Sequence, residues 1–167
     1  ERTERIVRGN PLDTDTMVGA QASNDQFEKI KSYLDIGKQE GAQVLTGGGV
    51  EDLGGEFSGG FYIQPTIFRD ADPLSRIMQE EIIGPVVAFT PYTTIDEAFA
   101  MANGTEYGLT GSLFTRNRHY IERGREELHV GNLYFNRKCT GALVGVHPFG
   151  GFNMSGTDSK AGGPNYL

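Results

Sequence analysis

Short apolar segments alternate with helix-like segments through the second half of this sequence. The strand-like segments are residues 61–68, 86–90, 109–115 and 130–135, and the helix-like segments begin at Thr94 and Asn117. Pro65 lies within the first strand and indicates an edge strand or a bulge, because proline has no amide hydrogen to donate to a neighbouring strand. The sequence therefore predicts an α/β fold with a largely parallel sheet flanked by helices.

The first half contains one further helix and a glycine-rich segment. Ser23 is a typical N-cap residue, and Gln26 completes a capping box before an amphipathic helix that ends near Gly41. Residues 42–46 form a short apolar run that predicts a strand. Residues 47–60 carry seven glycines and little periodicity, which predicts a mobile surface loop.

The charge balance and the composition exclude several classes of protein. The 167 residues include 15 Lys and Arg against 22 Asp and Glu, a formal net charge of −7, whereas a nucleic-acid binder needs a basic face. No apolar run approaches the roughly 18 residues of a membrane span. The single cysteine excludes an internal disulfide framework and fits a reducing compartment. We therefore expect a cytoplasmic protein without a nucleic-acid or membrane partner.

Cys139, the only thiol, is a candidate nucleophile with His147 as a nearby base. A lone cysteine without an identified spatial partner is more often inert, so we interpret Cys139 as an ordinary loop residue. A zinc site built on these two residues would lack two of its usual four ligands. No metal site is predicted.

Two groups of polar residues are candidates for ligand binding in the first half of the chain. Glu80 and Glu81 precede a turn into an apolar strand, where a carboxylate can accept hydrogen bonds from ligand hydroxyls, as ribose-binding acids do. A solvated surface pair is the alternative. Gln26 and Lys29 share one helical edge and could reach a ligand at the helix start, although the capping role already explains Gln26.

Glycine-rich segments follow the last predicted strand. Glycines in Thr140-Gly141-Ala142 and Pro148-Phe149-Gly150-Gly151 would expose backbone N–H groups to an anion, with Phe149 as an apolar wall. A tight glycine-rich crossover explains the same residues equally well. No glycine run matches a P-loop or a dinucleotide-binding fingerprint.

Together these segments resemble the aldehyde dehydrogenase superfamily. The motifs are Asn10-Pro11-Leu12 with Gly19-Ala20-Gln21, Gln79-Glu80-Glu81-Ile82-Ile83-Gly84-Pro85-Val86 and Pro148-Phe149-Gly150-Gly151-Phe152. Within the superfamily, residues 130–137, 139–142 and 149–164 resemble the 1-pyrroline-5-carboxylate dehydrogenase family. The resemblance implies oxidation of L-glutamate γ-semialdehyde to L-glutamate in proline degradation, with NAD as the cofactor. It implies attack by a cysteine thiolate, hydride transfer to the nicotinamide and hydrolysis by a glutamate-activated water.

The resemblance also implies roles for residues on the cofactor side. Glu81 would bind the nicotinamide ribose, and Gln26 and Lys29 would lie near the ribose region of the cofactor. Ile83 stands where the family usually has phenylalanine, which removes an aromatic face from the nicotinamide.

On the substrate side, the family pattern assigns the anchor loop. Gly141 and Ala142, next to Thr140, would hold the substrate carboxylate through backbone N–H groups, and Phe149 would pack on the aliphatic chain. Cys139 falls in this loop and is therefore not the family nucleophile.

The resemblance predicts that residues 1–167 are a C-terminal part of an aldehyde dehydrogenase catalytic domain. The Rossmann cofactor domain, the Gly-Gln-x-Cys segment with the nucleophile and the terminal oligomerisation strand are not in this sequence. No catalytic residue is therefore assigned, and the isolated fragment is expected to be inactive and to self-associate, whereas the parent enzyme would be a homo-oligomer. The alternatives are a non-catalytic α/β module and a fragment of a relative that oxidises another aliphatic aldehyde.

Overall fold

The computed structural model describes residues 1–143, 146–147 and 149–156. The chain divides into two compact units, Glu1–Pro91 and Tyr92–Leu167. The helices are α1 (Asn24–Gln39), α2 (Arg76–Gln79), α3 (Ile95–Asn103) and α4 (Arg118–Glu127). The strands are β1 (Gln43–Thr46), β2 (Val50–Glu51), β3 (Tyr62–Ile63), β4 (Thr66–Arg69), β5 (Val86–Ala88), β6 (Tyr107–Gly108), β7 (Thr110–Leu113), β8 (Asn132–Phe135) and β9 (Phe152–Asn153).

The core of the first unit lies between α1 and the sheet β1-β4-β5. Helix α1 buries Ile30 and Leu34 completely or nearly so, and Phe68 of β4 is also fully buried. Gly37 allows α1 to lie close to β4, because a Cβ at that position would lie 2.9 Å from the ring of Phe68. Gly41 ends the helix region with a φ of +89°, a conformation that glycine adopts without steric cost.

Pro65 lies between two strands, so the single strand predicted over residues 61–68 is divided into β3 and β4. Strand β4 is the central strand of its sheet, antiparallel to β1 and parallel to β5, so the predicted edge position is wrong for β4. Strand β3 belongs to a separate two-stranded sheet with β2. Proline is tolerated because it falls in the break, and the hydrogen bonding resumes with Thr66, whose N–H donates to the carbonyl of Pro85 at 2.8 Å.

The glycine-rich segment 47–60 is more ordered than predicted. It contains β2, which pairs with β3 in antiparallel register, and a short 3-10 helix at Gly55–Phe57. Arg8 forms a salt bridge with Glu51 of β2. A two-residue strand gives too little alternation to be seen in the sequence, which is why it was missed.

The second unit contains the predicted strand–helix–strand arrangement. Strands β7 and β8 are parallel and joined by α4. Helix α3 is capped by Thr94, whose side chain accepts the N–H of Glu97 at 3.2 Å. The α/β class is thus confirmed. Two strand pairs of the described residues, β4·β5 and β7·β8, are parallel, whereas β1·β4, β2·β3 and β6·β9 are antiparallel. No helix in the described part of the chain is long and apolar enough to cross a membrane.

Candidate functional site

One edge of α1 faces the turn that leads into β5. Ser23 caps the helix as predicted, since its Oγ accepts the N–H of Gln26 at 3.2 Å. The other half of the predicted capping box is wrong, because the side chain of Gln26 does not return to the helix start. Its Nε2 donates to the backbone carbonyls of Ile82 and Ile83, at 3.0 and 2.5 Å. The amide of Gln26 thus connects α1 to a turn far away in the sequence.

The turn itself has an unusual backbone. Ile83 has a φ of +54°, in the left-handed region that β-branched residues strongly disfavour. Its side chain is 66% exposed, so packing does not compensate for this conformation. At Gly84, a Cβ would lie 2.6 Å from Cδ1 of Ile30, and glycine therefore allows the turn to lie directly against α1.

Glu80 and Glu81 have different surroundings, although they are adjacent. The hydroxyl of Tyr33 donates to Glu80, and Arg76 forms a bidentate salt bridge with the same carboxylate at 2.7 and 2.9 Å. The hydrogen bonds from Arg76 and Tyr33 lower the pKa of Glu80 from 4.5 to about 2. The bond to Glu80 also raises the pKa of Tyr33. Glu80 is therefore a structural carboxylate that joins α1 to α2.

Glu81 remains available to a ligand. It is exposed, and its carboxylate has no hydrogen bond or ion pair within the described part of the chain. Lys29 lies on the same edge of α1 as Gln26 and Tyr33, with its Nζ 5.9 Å from the centre of the Tyr33 ring. The structure thus places Gln26, Lys29, Glu81 and Ile83 around one helix edge and one turn. A free carboxylate at such a position can accept hydrogen bonds from two neighbouring hydroxyls.

The loop after β8 contains the predicted substrate residues. The guanidinium of Arg137 stacks on Tyr134, 4.9 Å from the ring centre, and donates to the carbonyl of Thr140 at 3.1 Å. Gly141 has a φ of +88°, and Ala142 is half-buried. The backbone N–H groups of residues 140–142 donate no hydrogen bond to any described residue. Anion binding by these N–H groups, which have no acceptor in the part of the chain that the structure describes, stays a prediction.

The continuation of this loop is also held by hydrogen bonds. The N–H of Leu143 donates to Nδ1 of His147 at 3.1 Å, and the N–H of His147 donates to the carbonyl of Leu143 at 2.8 Å. Phe149 is half-buried, and the N–H of the following Gly150 donates to the side chain of Asn132 at 3.3 Å. Val144, Gly145, Pro148 and residues 157–167, which carry part of the predicted motifs, lie outside the described residues.

Cys139 is half-buried and free. Its thiol has no hydrogen bond to a base among the described residues, and Nδ1 of His147 is already an acceptor for Leu143. The described residues contain no group of three or more His, Cys, Asp or Glu side chains that could hold a metal ion.

Sequence reasoning missed Tyr33 and Arg76, which hold Glu80. The signal for Tyr33 was present, because it follows Gln26 by two helical turns and Lys29 by one, and so belongs to the same edge. The Arg76–Glu80 pair has the spacing of a helical ion pair. The contact between Gln26 and the turn had no such signal, since its partners are backbone carbonyls distant in sequence.

The aldehyde dehydrogenase family profile matches residues 1–167. The chain is 58% identical over 167 residues to the 1-pyrroline-5-carboxylate dehydrogenase of Anoxybacillus flavithermus and to the 1-pyrroline-5-carboxylate dehydrogenase 2 of Bacillus subtilis. These matches cover 100% of this chain and 31% of each relative. The chain thus spans about a third of the length of the curated relatives it matches.

The solved structures that resemble this chain are also aldehyde dehydrogenases. The Thermus 1-pyrroline-5-carboxylate dehydrogenase with bound NAD superposes with a TM-score of 0.89 at 48% identity, over 99% of this chain and 31% of the other. The Staphylococcus aureus betaine aldehyde dehydrogenase in complex with NAD⁺ superposes with a TM-score of 0.90 at 33% identity, over 99% of this chain and 32% of the other. With the fold shared over its length and the family profile matched from residue 1 to residue 167, the chain belongs to the aldehyde dehydrogenase family.

Proposed function

We propose that this chain forms part of an NAD⁺-dependent dehydrogenase that oxidises L-glutamate γ-semialdehyde, the open form of 1-pyrroline-5-carboxylate, to L-glutamate in proline degradation. The observation that carries the proposal is the 58% identity over the whole chain to relatives named for 1-pyrroline-5-carboxylate. The identity to a relative named for betaine aldehyde is only 33%. In this proposal the chain supplies residues that line the cofactor and substrate sites. The expected location of the protein is the cytoplasm.

On the cofactor side, Glu81 accepts hydrogen bonds from the hydroxyls of the nicotinamide ribose. Its carboxylate, which has no partner among the described residues, supports this role. The cation of Lys29, on the same helix edge as Gln26 and Tyr33, favours a ligand that carries negative charge elsewhere. The exposed side chain of Ile83 offers an apolar surface next to the ribose. When bound, NAD⁺ supplies the acceptor for the hydride that leaves the aldehyde carbon.

On the substrate side, the N–H groups of Gly141 and Ala142, next to Thr140, bind the carboxylate of the semialdehyde. Neither N–H group has an acceptor among the described residues. This carboxylate distinguishes the proposed substrate from simple aliphatic aldehydes. Backbone N–H groups in a loop with positive φ form a concave anion site without a charged side chain. Phe149 provides an apolar contact for the aliphatic chain of the substrate.

The proposal is tested in a chimera in which residues 1–167 replace the matching segment of the Bacillus subtilis relative. The expected result is NADH formation with pyrroline-5-carboxylate, and much lower kcat/KM with propanal or betaine aldehyde. A chimera that folds and binds NAD⁺ but prefers propanal or betaine aldehyde would contradict the proposed substrate. A folded chimera without turnover of any aldehyde would favour a non-catalytic module.

The role of Glu81 is tested in the same chimera by Glu81→Ala. Loss of hydrogen bonds between a carboxylate and two hydroxyls should raise the KM for NAD⁺ by about tenfold, with the KM for pyrroline-5-carboxylate nearly unchanged. Glu56→Ala is the matched control, because Glu56 is also exposed and has no hydrogen-bond or ion-pair partner among the described residues. An unchanged KM for NAD⁺ in Glu81→Ala would exclude the ribose role.

A further inference from the structure

We propose that Gln26 is a positioning residue that acts on the cofactor through Glu81, by holding the turn at Ile82 and Ile83 in its strained conformation. This inference rests on the proposed function, in which Glu81 binds the ribose of NAD⁺. This positioning role differs from a direct contact between Gln26 and the cofactor. The two roles predict different KM values for NAD⁺ when Gln26 and Glu81 are both substituted.

The hydrogen bonds of Gln26 account for both donors of its side chain. A glutamine amide has two N–H groups, and Nε2 reaches the carbonyl of Ile82 at 3.0 Å and that of Ile83 at 2.5 Å. No amide hydrogen remains for a ribose hydroxyl in this arrangement. The helix end is fixed as well, since the backbone N–H of Gln26 donates to Ser23.

The turn needs such a contact because its backbone is unfavourable. A β-branched residue at a φ of +54° persists only where the surrounding structure imposes it. The Ile83 side chain is 66% exposed and cannot impose it by packing. Two hydrogen bonds to consecutive carbonyls fix the orientation of both peptide groups, and thereby the left-handed conformation between them.

The chain is held by side-chain contacts on both sides of Glu81. On its N-terminal side, Glu80 is bonded to Tyr33 and Arg76. On its C-terminal side, Gln26 holds the turn, and Gly84 packs against α1. The backbone of Glu81 is therefore defined from both sides while its carboxylate is left exposed, which is the arrangement required to present a hydrogen-bond acceptor in one direction.

The inference is tested with Gln26→Met in the chimera, a substitution that keeps the length of the side chain and removes both donors. We expect the KM for NAD⁺ to rise by about tenfold, with the KM for pyrroline-5-carboxylate unchanged. An unchanged aldehyde KM also shows that the variant is folded. Gln39→Met, on an exposed position of the same helix, is the matched control and should leave both constants unchanged.

The double variant Gln26→Met/Glu81→Ala separates positioning from direct contact. If Gln26 acts through Glu81, the double variant has the same KM for NAD⁺ as Glu81→Ala alone, because the residue that Gln26 positions is absent. Multiplied effects of the two substitutions would show an independent contact and overturn the inference, as would an unchanged KM in Gln26→Met. Failure of the proposed function is a separate result, since Glu81→Ala alone would then leave the KM for NAD⁺ unchanged.

Discussion

At the scale of single residues, Gly141 is held in a conformation that other residues avoid. Its φ is +88°, and an added Cβ would meet no atom of the described residues closer than 3.8 Å, so among these residues the constraint is the backbone and not the available space. Gly141→Val therefore costs about 1–3 kcal/mol unless the loop changes shape. We expect the loop to change shape, with kcat/KM for pyrroline-5-carboxylate in the chimera reduced by about tenfold or more.

Lys138→Val is the control for Gly141→Val. It introduces the same side chain into the same loop at an exposed position with a negative φ, so kcat/KM should stay near that of the parent chimera. Equal values for the two variants would show that the conformation of Gly141 is unimportant for substrate binding.

Residue identities could be predicted from the sequence more readily than their contacts. The N-cap role of Ser23 followed from local spacing alone, because a cap bonds to a residue three positions away. The side chain of Gln26 was assigned to the same local motif, but its partners are carbonyls of Ile82 and Ile83. Local patterns do not specify a hydrogen bond to a distant turn. For the same reason the sequence did not distinguish the bonded Glu80 from the free Glu81.

At the scale of secondary-structure elements, Glu80 joins α1 to α2, and this connection depends on pH. The pKa of Glu80 is lowered from 4.5 to about 2 in the folded chain, so its charged form is favoured by folding. The contribution to stability is complete above pH 4.5 and is lost as the pH falls through about 2. Glu80→Gln should therefore lower the Tm of the 167-residue chain near neutral pH. The difference in Tm between the variant and the parent chain should shrink as the pH falls from 4.5 to about 2.

Thermal unfolding followed by circular dichroism across this pH range measures the difference directly. Tyr33→Phe removes one of the two donors to Glu80 and keeps the ring, so its effect should follow the same pH trend with a smaller size. A Tm difference between Glu80→Gln and the parent chain that does not change with pH would contradict the assigned contribution of this carboxylate.

The elements themselves were predictable where a segment was long and its pattern regular. Helices α1, α3 and α4 and the parallel pair β7·β8 followed from caps and alternation. The two-residue strands β2, β6 and β9 were not predicted, because each is defined by its pairing partner and not by its own residues. The break at Pro65 was not predicted, because the residues on both sides favour one strand. Whether β4 lies at the edge or in the centre depends on β1, which is distant in the chain.

At the scale of the whole molecule, the two sets of candidate site residues belong to different compact units. The cofactor residues Gln26, Lys29, Glu81 and Ile83 are in Glu1–Pro91, and the substrate residues Thr140, Gly141, Ala142 and Phe149 are in Tyr92–Leu167. Both sets consist of groups that bind and orient a ligand, namely a carboxylate, backbone N–H groups and apolar side chains. None of them is an activated nucleophile, so we expect the chemical step of the proposed enzyme to depend on residues outside this chain.

Substitution of Cys139 tests whether this chain contributes ligand-binding residues only or also the nucleophile. Its thiol has no base within hydrogen-bond distance among the described residues, and a cysteine needs such a partner or another source of thiolate stabilisation to act as a nucleophile. Cys139→Ala in the chimera should therefore leave kcat for pyrroline-5-carboxylate within about twofold of the parent value, since substitutions away from the reacting groups change stability or activity only slightly.

The 167-residue chain alone, assayed with NAD⁺ and pyrroline-5-carboxylate, should form no NADH. Turnover by the isolated chain that Cys139→Ala abolishes would instead make Cys139 the nucleophile and would place the chemistry in the loop that we assign to substrate binding.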